Sequence, residues 1–264
     1  MPKILQREMN SAIRTIAILM VTVSSFSVQA QKEVTNQNLV WYSFFSTQNI
    51  GEKWFVQSEV QERHFVNPAS QHQFVLRCHL HRVLGKSGWE TAAGICFFLQ
   101  SPNDPESNVK LTIPELRPHI EFTYRQKLKY LSIDHRYKAE ARFFHNTNDA
   151  RTELEDGFGF GNFRLRYRVQ VTVPILKIDD QRALKLKLSD EIHINAGQSI
   201  VKNVFDQNRI YGGLSVDVLP SLTFEAGLLN WFQQRPSGDY YNRKILRFTV
   251  YHKINLLKSK RELK

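Results

Sequence analysis

The stretch from Asn162 to Val173, Asn-Phe-Arg-Leu-Arg-Tyr-Arg-Val-Gln-Val-Thr-Val, changes character at every residue. Phe163, Leu165, Tyr167, Val169, Val171 and Val173 form one set, and Arg164, Arg166, Arg168, Gln170 and Thr172 form the other. Successive side chains of an extended strand point to opposite faces, so a period of two gives a strand with one apolar and one cationic face. The fold follows from how often this pattern recurs.

It recurs along most of the chain. Leu131, Ile133, Tyr137, Ala139 and Ala141 alternate with Asp134, Arg136, Lys138, Glu140 and Arg142. Trp54, Val56, Ser58 and Val60 alternate with Gln57, Glu59, Gln61 and Arg63. Phe74, Leu76, Cys78 and Leu80 alternate with Gln73, Arg77, His79 and His81, and Leu184, Leu186 and Leu188 repeat the theme. Eleven such segments are read, near residues 38–48, 53–64, 71–84, 88–100, 112–126, 130–144, 160–174, 183–196, 205–219, 221–235 and 242–256.

A soluble antiparallel sheet with one wet face alternates in the same way. Two features favour a bilayer. The segments exceed the roughly 5–6 residues usual in globular sheets and suffice for the roughly 9–11 that cross a membrane. Aromatic residues also gather near segment ends, among them Trp41, Tyr42, Trp54, Trp89, Phe97, Phe98, Tyr130, Phe143 and Trp231, as interfacial girdles require. The expected fold is all-β: an antiparallel transmembrane β-barrel of about 10–12 strands. An odd count conflicts with the even number usual in single-chain bacterial barrels, so ten or twelve strands are expected, with twelve preferred.

Connections alternate in length. Those near Ile50-Gly51, Gly85 to Ser87, Leu128-Lys129 and Leu219 to Ser221 are short. Those near Val66 to Ser70, Ser101 to Lys110, His145 to Gly159, Ala196 to Val204 and Pro236 to Asp239 are longer. Short periplasmic turns and long outer loops are the usual asymmetry, which would start the chain on the outer side.

Residues 1–30 read as a signal peptide. Lys3, Arg7 and Arg14 precede an apolar run from Thr15 to Val28, and Val28-Gln29-Ala30 offers a cleavage site. The run is too short for a spanning helix. The barrel then occupies 31–257, and 258–264 form a basic tail. Loss of the leader lowers the net charge from +11 to +9, which suits anionic lipid or solute better than nucleic acid in an exported protein. A mean hydropathy of −0.39 is no obstacle, because only alternate barrel residues face lipid. Outer-membrane lipids, the barrel-assembly machinery during insertion and a small anionic solute are the expected partners.

Pairing registers follow from the turns. If Lys127 and Tyr130 flank a two-residue turn, Glu121 opposes Arg136, Arg117 opposes Glu140 and Glu115 opposes Arg142. Opposite charges then meet on the inward face, while Ile120 meets Tyr137 on the outer one. A turn at Gly85 to Gly88 sets Cys78 against Ile95 and Cys96 against Arg77. Cys78 then faces lipid and Cys96 the lumen, so no disulfide is expected despite the oxidising compartment.

The inward set offers little diagnostic chemistry. His79 and His81 share a face, but a third metal ligand at diagnostic spacing is missing. Asp190 and Glu191 are adjacent in a strand and point to opposite faces, so they cannot act as a catalytic pair. No Ser/His arrangement specific to acyl transfer is found. Neither a cofactor nor a metal is implied. The expected feature is a luminal ion-pair network of Glu115, Arg117, Glu121, Arg136, Glu140, Arg142, Arg164, Arg166, Glu191 and Arg209, with Arg209 anchoring luminal carboxylates.

Several strings carry a family resemblance: Glu115-Leu116-Arg117-Pro118, Arg164-Leu165-Arg166-Tyr167-Arg168, Asp190-Glu191 followed by Asn195, and Asp206-Gln207-Asn208-Arg209 with Tyr211 and Gly213. With Trp41, Gln61 and Arg63, they resemble the bacterial family called domain of unknown function 2490, over about residues 38–256. The resemblance implies an outer-membrane barrel without an established activity and carries over no catalytic residue. The functional expectation is a non-enzymatic barrel, structural or a narrow solute conduit. A lipid-modifying enzyme (lipase- or deacylase-like) and an adhesin using the acidic 145–159 loop are the alternatives.

Overall fold

The computed structural model describes residues 32–179, 182–197, 204–235 and 237–257. The segment read as a signal peptide and the basic tail lie outside them. Each of the eleven sequence segments is a strand: β1 (Val34–Asn49), β2 (Trp54–Phe65), β3 (Ser70–Val83), β4 (Trp89–Gln100), β5 (Ile113–Lys127), β6 (Ser132–Thr147), β7 (Leu154–Lys177), β8 (Ala183–Ala196), β9 (Phe205–Leu219), β10 (Leu222–Gln234) and β11 (Tyr240–Asn255). Consecutive strands pair antiparallel, and β1 meets β11 to close a barrel.

The described residues therefore hold eleven strands, neither ten nor twelve, and the barrel is not wholly antiparallel. With an odd number of alternating strands, the first and last run the same way. The closing seam is accordingly parallel. Asn242 Nδ2 donates to Asn36 Oδ1 at 3.0 Å and Arg243 Nε to Gln37 Oε1 at 2.7 Å, each pair 206 positions apart. Further along, Tyr42 stacks on Phe248 and Phe45 on Tyr251, so residue numbers rise together on both strands. Parallel ladders are slightly weaker per residue than antiparallel ones, and these side-chain bridges reinforce the seam.

Connections 50–53, 84–88, 128–131 and 220–221 lie at one end of the barrel, here the turn end, where β7 ends and β8 begins. Connections 66–69, 101–112 and 148–153 lie at the other, the loop end, where β1 and β11 begin, β8 and β10 end and β9 begins. The acidic stretch expected to be a loop at 145–159 is mostly strand. β6 and β7 continue past the other strands as a hairpin arm, with Asn146 Nδ2 donating to the Asp156 carbonyl at 2.7 Å.

The outer face is apolar on every strand. Leu76, Ile95, Ile120, Leu165, Leu188 and Leu246 are exposed there, and Leu228 is 69% exposed. Aromatic side chains flank this band, with Trp54, Trp89 and Tyr130 exposed at the turn end and Phe158, Phe160 and Phe163 at the loop end. Three aromatics expected in the girdles are instead inside: Trp41, Phe98 and Trp231 are at most 3% exposed.

The β3–β4 register agrees with the sequence reading, with Cys78 opposite Ile95 and Cys96 opposite Arg77. Cys78 is exposed, Cys96 is buried, and both are free thiols. Intact-mass measurement without reductant should return two free thiols. A mass lower by two hydrogens would contradict the register.

The β5–β6 register differs. The connection has four residues, Leu128 to Leu131, closed by Leu128 N–H donating to the Leu131 carbonyl at 2.8 Å. Glu121 consequently opposes Lys138, and His119 opposes Glu140. A slip of two residues leaves every side chain on its face, so face assignment could not detect it.

Candidate functional site: the luminal charge network and its cavity

Inside the barrel the alternating charged residues reach across to one another. Glu115 accepts from Arg117 through Nε and Nη2, both at 2.6 Å, and from Arg142 at 2.6 Å. Glu140 pairs with Arg166 at 2.9 Å and Lys138 at 3.7 Å. Glu191 takes Arg136 at 2.5 Å, Arg166 at 2.9 Å and His193 at 3.2 Å. Glu121 lies 3.6 Å from Lys138 and 3.9 Å from Arg136, and Arg164 bonds Asp206 at 3.1 Å.

The structure thus brings nine of the ten named residues into ion pairs, though not in every expected pairing. Glu115–Arg142 and Glu121–Arg136 are present; Arg117 turns along its own strand to Glu115 and leaves Glu140 to Arg166 and Lys138. Arg209 is the exception. It has no carboxylate within 4.0 Å among the described residues, and its guanidinium lies over Trp231 at 4.6 Å and Trp41 at 5.4 Å. Its expected role as an anchor for luminal carboxylates is not met.

Residues not singled out beforehand complete the network. Glu59 pairs with Arg77, while Glu225 binds Lys187 at 2.5 Å and accepts from the Tyr211 hydroxyl at 2.9 Å. Each lies on the polar face its period-two pattern prescribes, and that was the available signal. Taking these charges out of water costs several kcal/mol per ion, offset only where each is closely paired.

Toward the loop end the lumen is filled. Leu39, Trp41, Phe65, Leu229, Trp231 and Ile245 form one buried cluster, and Val75, Cys96 and Phe98 another. Guanidiniums knit these to the charged half, Arg63 lying 3.9 Å over Trp41 and Arg117 3.8 Å over Phe98. Such contacts contribute about 2 kcal/mol when desolvated. Gln207 joins the layers, bonding His193 at 2.6 Å and accepting from Trp231 Nε1 at 2.6 Å. Above this level the β4–β5 connection folds over the mouth. The Asn103 side chain accepts from Arg243 at 3.0 Å and meets His72 Nε2 at 3.3 Å, and its carbonyl accepts from Gln37 at 2.8 Å.

Below the filled layer lies a cavity of about 300 Å³, reaching from mid-barrel to the turn end. Arg125, its side chain 51% exposed, stands at the mouth. Nine arginines and lysines line the cavity against five aspartates and glutamates, so it carries a cationic surplus. The His79 ring stands between two others, its centroid 5.4 Å from that of His81 and 4.6 Å from that of His119. Among the described residues no three His, Cys, Asp or Glu side chains converge to hold a metal ion.

Comparison with known proteins gives a family and a fold neighbour. No curated protein matches this sequence. LpxR from Salmonella typhimurium is similar in structure over 74% of this chain and 83% of that one, with 9% identity and a TM-score of 0.42. The model of a protein family of unknown function, DUF2490, matches residues 38–242, from β1 to the start of β11. On that match, the chain belongs to the DUF2490 family.

Proposed function

We propose that this protein is an outer-membrane β-barrel whose lumen is a blind, cation-lined vestibule, closed toward the loops and open at the turns. The apolar outer face supports the membrane placement. Water would penalise so large an exposed apolar surface, whereas the shortest strands, 12 residues each, are long enough to cross a bilayer. The turn end then faces the periplasm by the usual loop asymmetry.

The filled layer around Trp41, Trp231, Phe98 and Arg117 carries the reading, because it interrupts the path that a solute conduit requires. An acyl-transfer enzyme would need a nucleophile beside its base. Among the described residues no serine or cysteine is hydrogen-bonded to a histidine, and no observation favours that alternative. Planar bilayers containing the purified barrel should remain silent. The Trp41→Ala, Trp231→Ala double variant should admit anion-selective steps. Stable open channels in the wild type would refute the blind lumen.

A further inference from the structure

Four neighbouring strands place one rung of side chains across the middle of the cavity. Arg136 on β6, Arg168 on β7, Glu191 on β8 and Arg209 on β9 are successive register partners. One carboxylate thus stands among three guanidiniums, and it is already occupied. Oε1 of Glu191 accepts from Arg136 at 2.5 Å and Arg166 at 2.9 Å, and Oε2 accepts from Arg166 at 3.0 Å and lies 3.2 Å from His193. Arg168 and Arg209, directly opposite Glu191 on either side, are left with no carboxylate within 4.0 Å among the described residues. The Nε of each is buried without a hydrogen-bond partner. Nearby Arg247 lies 3.8 Å from Glu225 Oε1, which accepts from the Tyr211 hydroxyl at 2.9 Å, while Lys187 holds Oε2 at 2.5 Å.

Both side chains are half-buried against the cavity with Nε shielded from water, and cations so placed without counter-charges carry a cost that a partner from outside the chain would offset. The planar, multi-donor fork of arginine matches tetrahedral oxyanions, and two forks flanking one space favour a ligand with more than one charge. The volume, about 300 Å³, is at the small end of the range for small-molecule sites.

We propose that Arg168 and Arg209 form the core of a binding site for a phosphate-type oxyanion of at least two negative charges, entering from the turn end. This rests on the reading of the lumen as a blind vestibule. Either a free phosphorylated solute or an anionic headgroup reaching into the mouth would supply that chemistry.

The test is calorimetric titration of the full barrel, in a phosphate-free neutral detergent, with sodium pyrophosphate, and with acetate as the singly charged control. Pyrophosphate should bind at one site per barrel and acetate should not compete. Arg168→Gln and Arg209→Gln should each weaken binding by about tenfold or more, the loss expected for a charge-assisted hydrogen bond. If these variants fail to fold, Arg168→Lys and Arg209→Lys, which keep the charge and lose the fork, should still weaken it. Repeating the titration in vesicles distinguishes the sources. Competition by cardiolipin, whose headgroup carries two phosphate charges, absent with phosphatidylcholine alone, assigns the site to a headgroup, and no competition assigns it to a free solute. No heat with pyrophosphate, or equal binding by folded glutamine variants, would overturn the proposal. A conducting barrel that still bound pyrophosphate would remove the seal and leave the site; a silent barrel that ignored it would do the reverse.

Discussion

Replacing Glu191 with Gln should lower the unfolding free energy by about 3–5 kcal/mol, the cost of breaking a buried charge pair by removing one partner. The side chain keeps its shape, so the loss is electrostatic. Arg136 and Arg166 would each lose a full counter-charge in a cavity already rich in cations. Arg166 would keep Glu140 at 2.9 Å, but Arg136 would be left with Glu121 at 3.9 Å, a carboxylate shared with Lys138. The size of the effect should track the closeness of the pairing. Glu121→Gln, whose contacts lie at 3.6 and 3.9 Å, should cost less. Asp179→Asn, in an exposed pair with Arg182 at the barrel's turn end, should cost no more than about 1 kcal/mol. Urea titrations of the three variants in one detergent, followed by tryptophan fluorescence, should reproduce that order.

Gly227→Val should cost about 2.5–6 kcal/mol, combining about 1–3 for overpacking with about 1.5–3 for a lost hydrogen bond to a charged group. Gly213 and Gly227 face each other across β9 and β10, and the Tyr211 phenol passes over both to donate to Glu225. A Cβ at Gly227 would stand 2.5 Å from the Gly212 carbonyl oxygen, 2.6 Å from Gly213 Cα and 2.7 Å from the Tyr211 hydroxyl. Two of those atoms are backbone and cannot swing away. The phenol must leave, and Glu225 loses a donor. Gly85→Val is the control: no atom lies within 4 Å of a Cβ there, and its turn conformation at φ +65° alone is strained. The same urea titrations measure both, and equal costs would contradict the packed phenol.

These two positions also show what the sequence made legible. Strand period assigned Glu191, Arg166 and Arg209 to an inward face, because alternation is a property of each strand by itself. It located all eleven strands for the same reason. Everything that depends on two strands meeting was harder. The slip between β5 and β6 preserved both faces and so left no trace in the pattern. The parallel seam of β1 with β11 depends on strand parity around the whole ring, which no local stretch encodes. Trp41, Phe98 and Trp231 were misplaced in the membrane girdles because large aromatics suit an interface and a lumen equally. Their position two to seven residues inside the strands differs little between the two settings. Arg209 belonged to the network by face but not by partner. That distinction became visible only when Glu191 proved to be saturated by Arg136, Arg166 and His193.

Accessibility of the cavity from each side tests the central claim most directly. Ser189 lines the cavity below the filled layer, and Asp149 lies in the connection between β6 and β7 at the loop end. In a background with Cys78→Ser and Cys96→Ser, each is changed to cysteine and exposed to a thiol reagent too large to cross the outer membrane. Asp149→Cys should label on intact cells, whereas Ser189→Cys should label only after the outer membrane is permeabilised. Equal labelling of Ser189→Cys before and after permeabilisation would contradict a lumen sealed at the loops and open toward the periplasm.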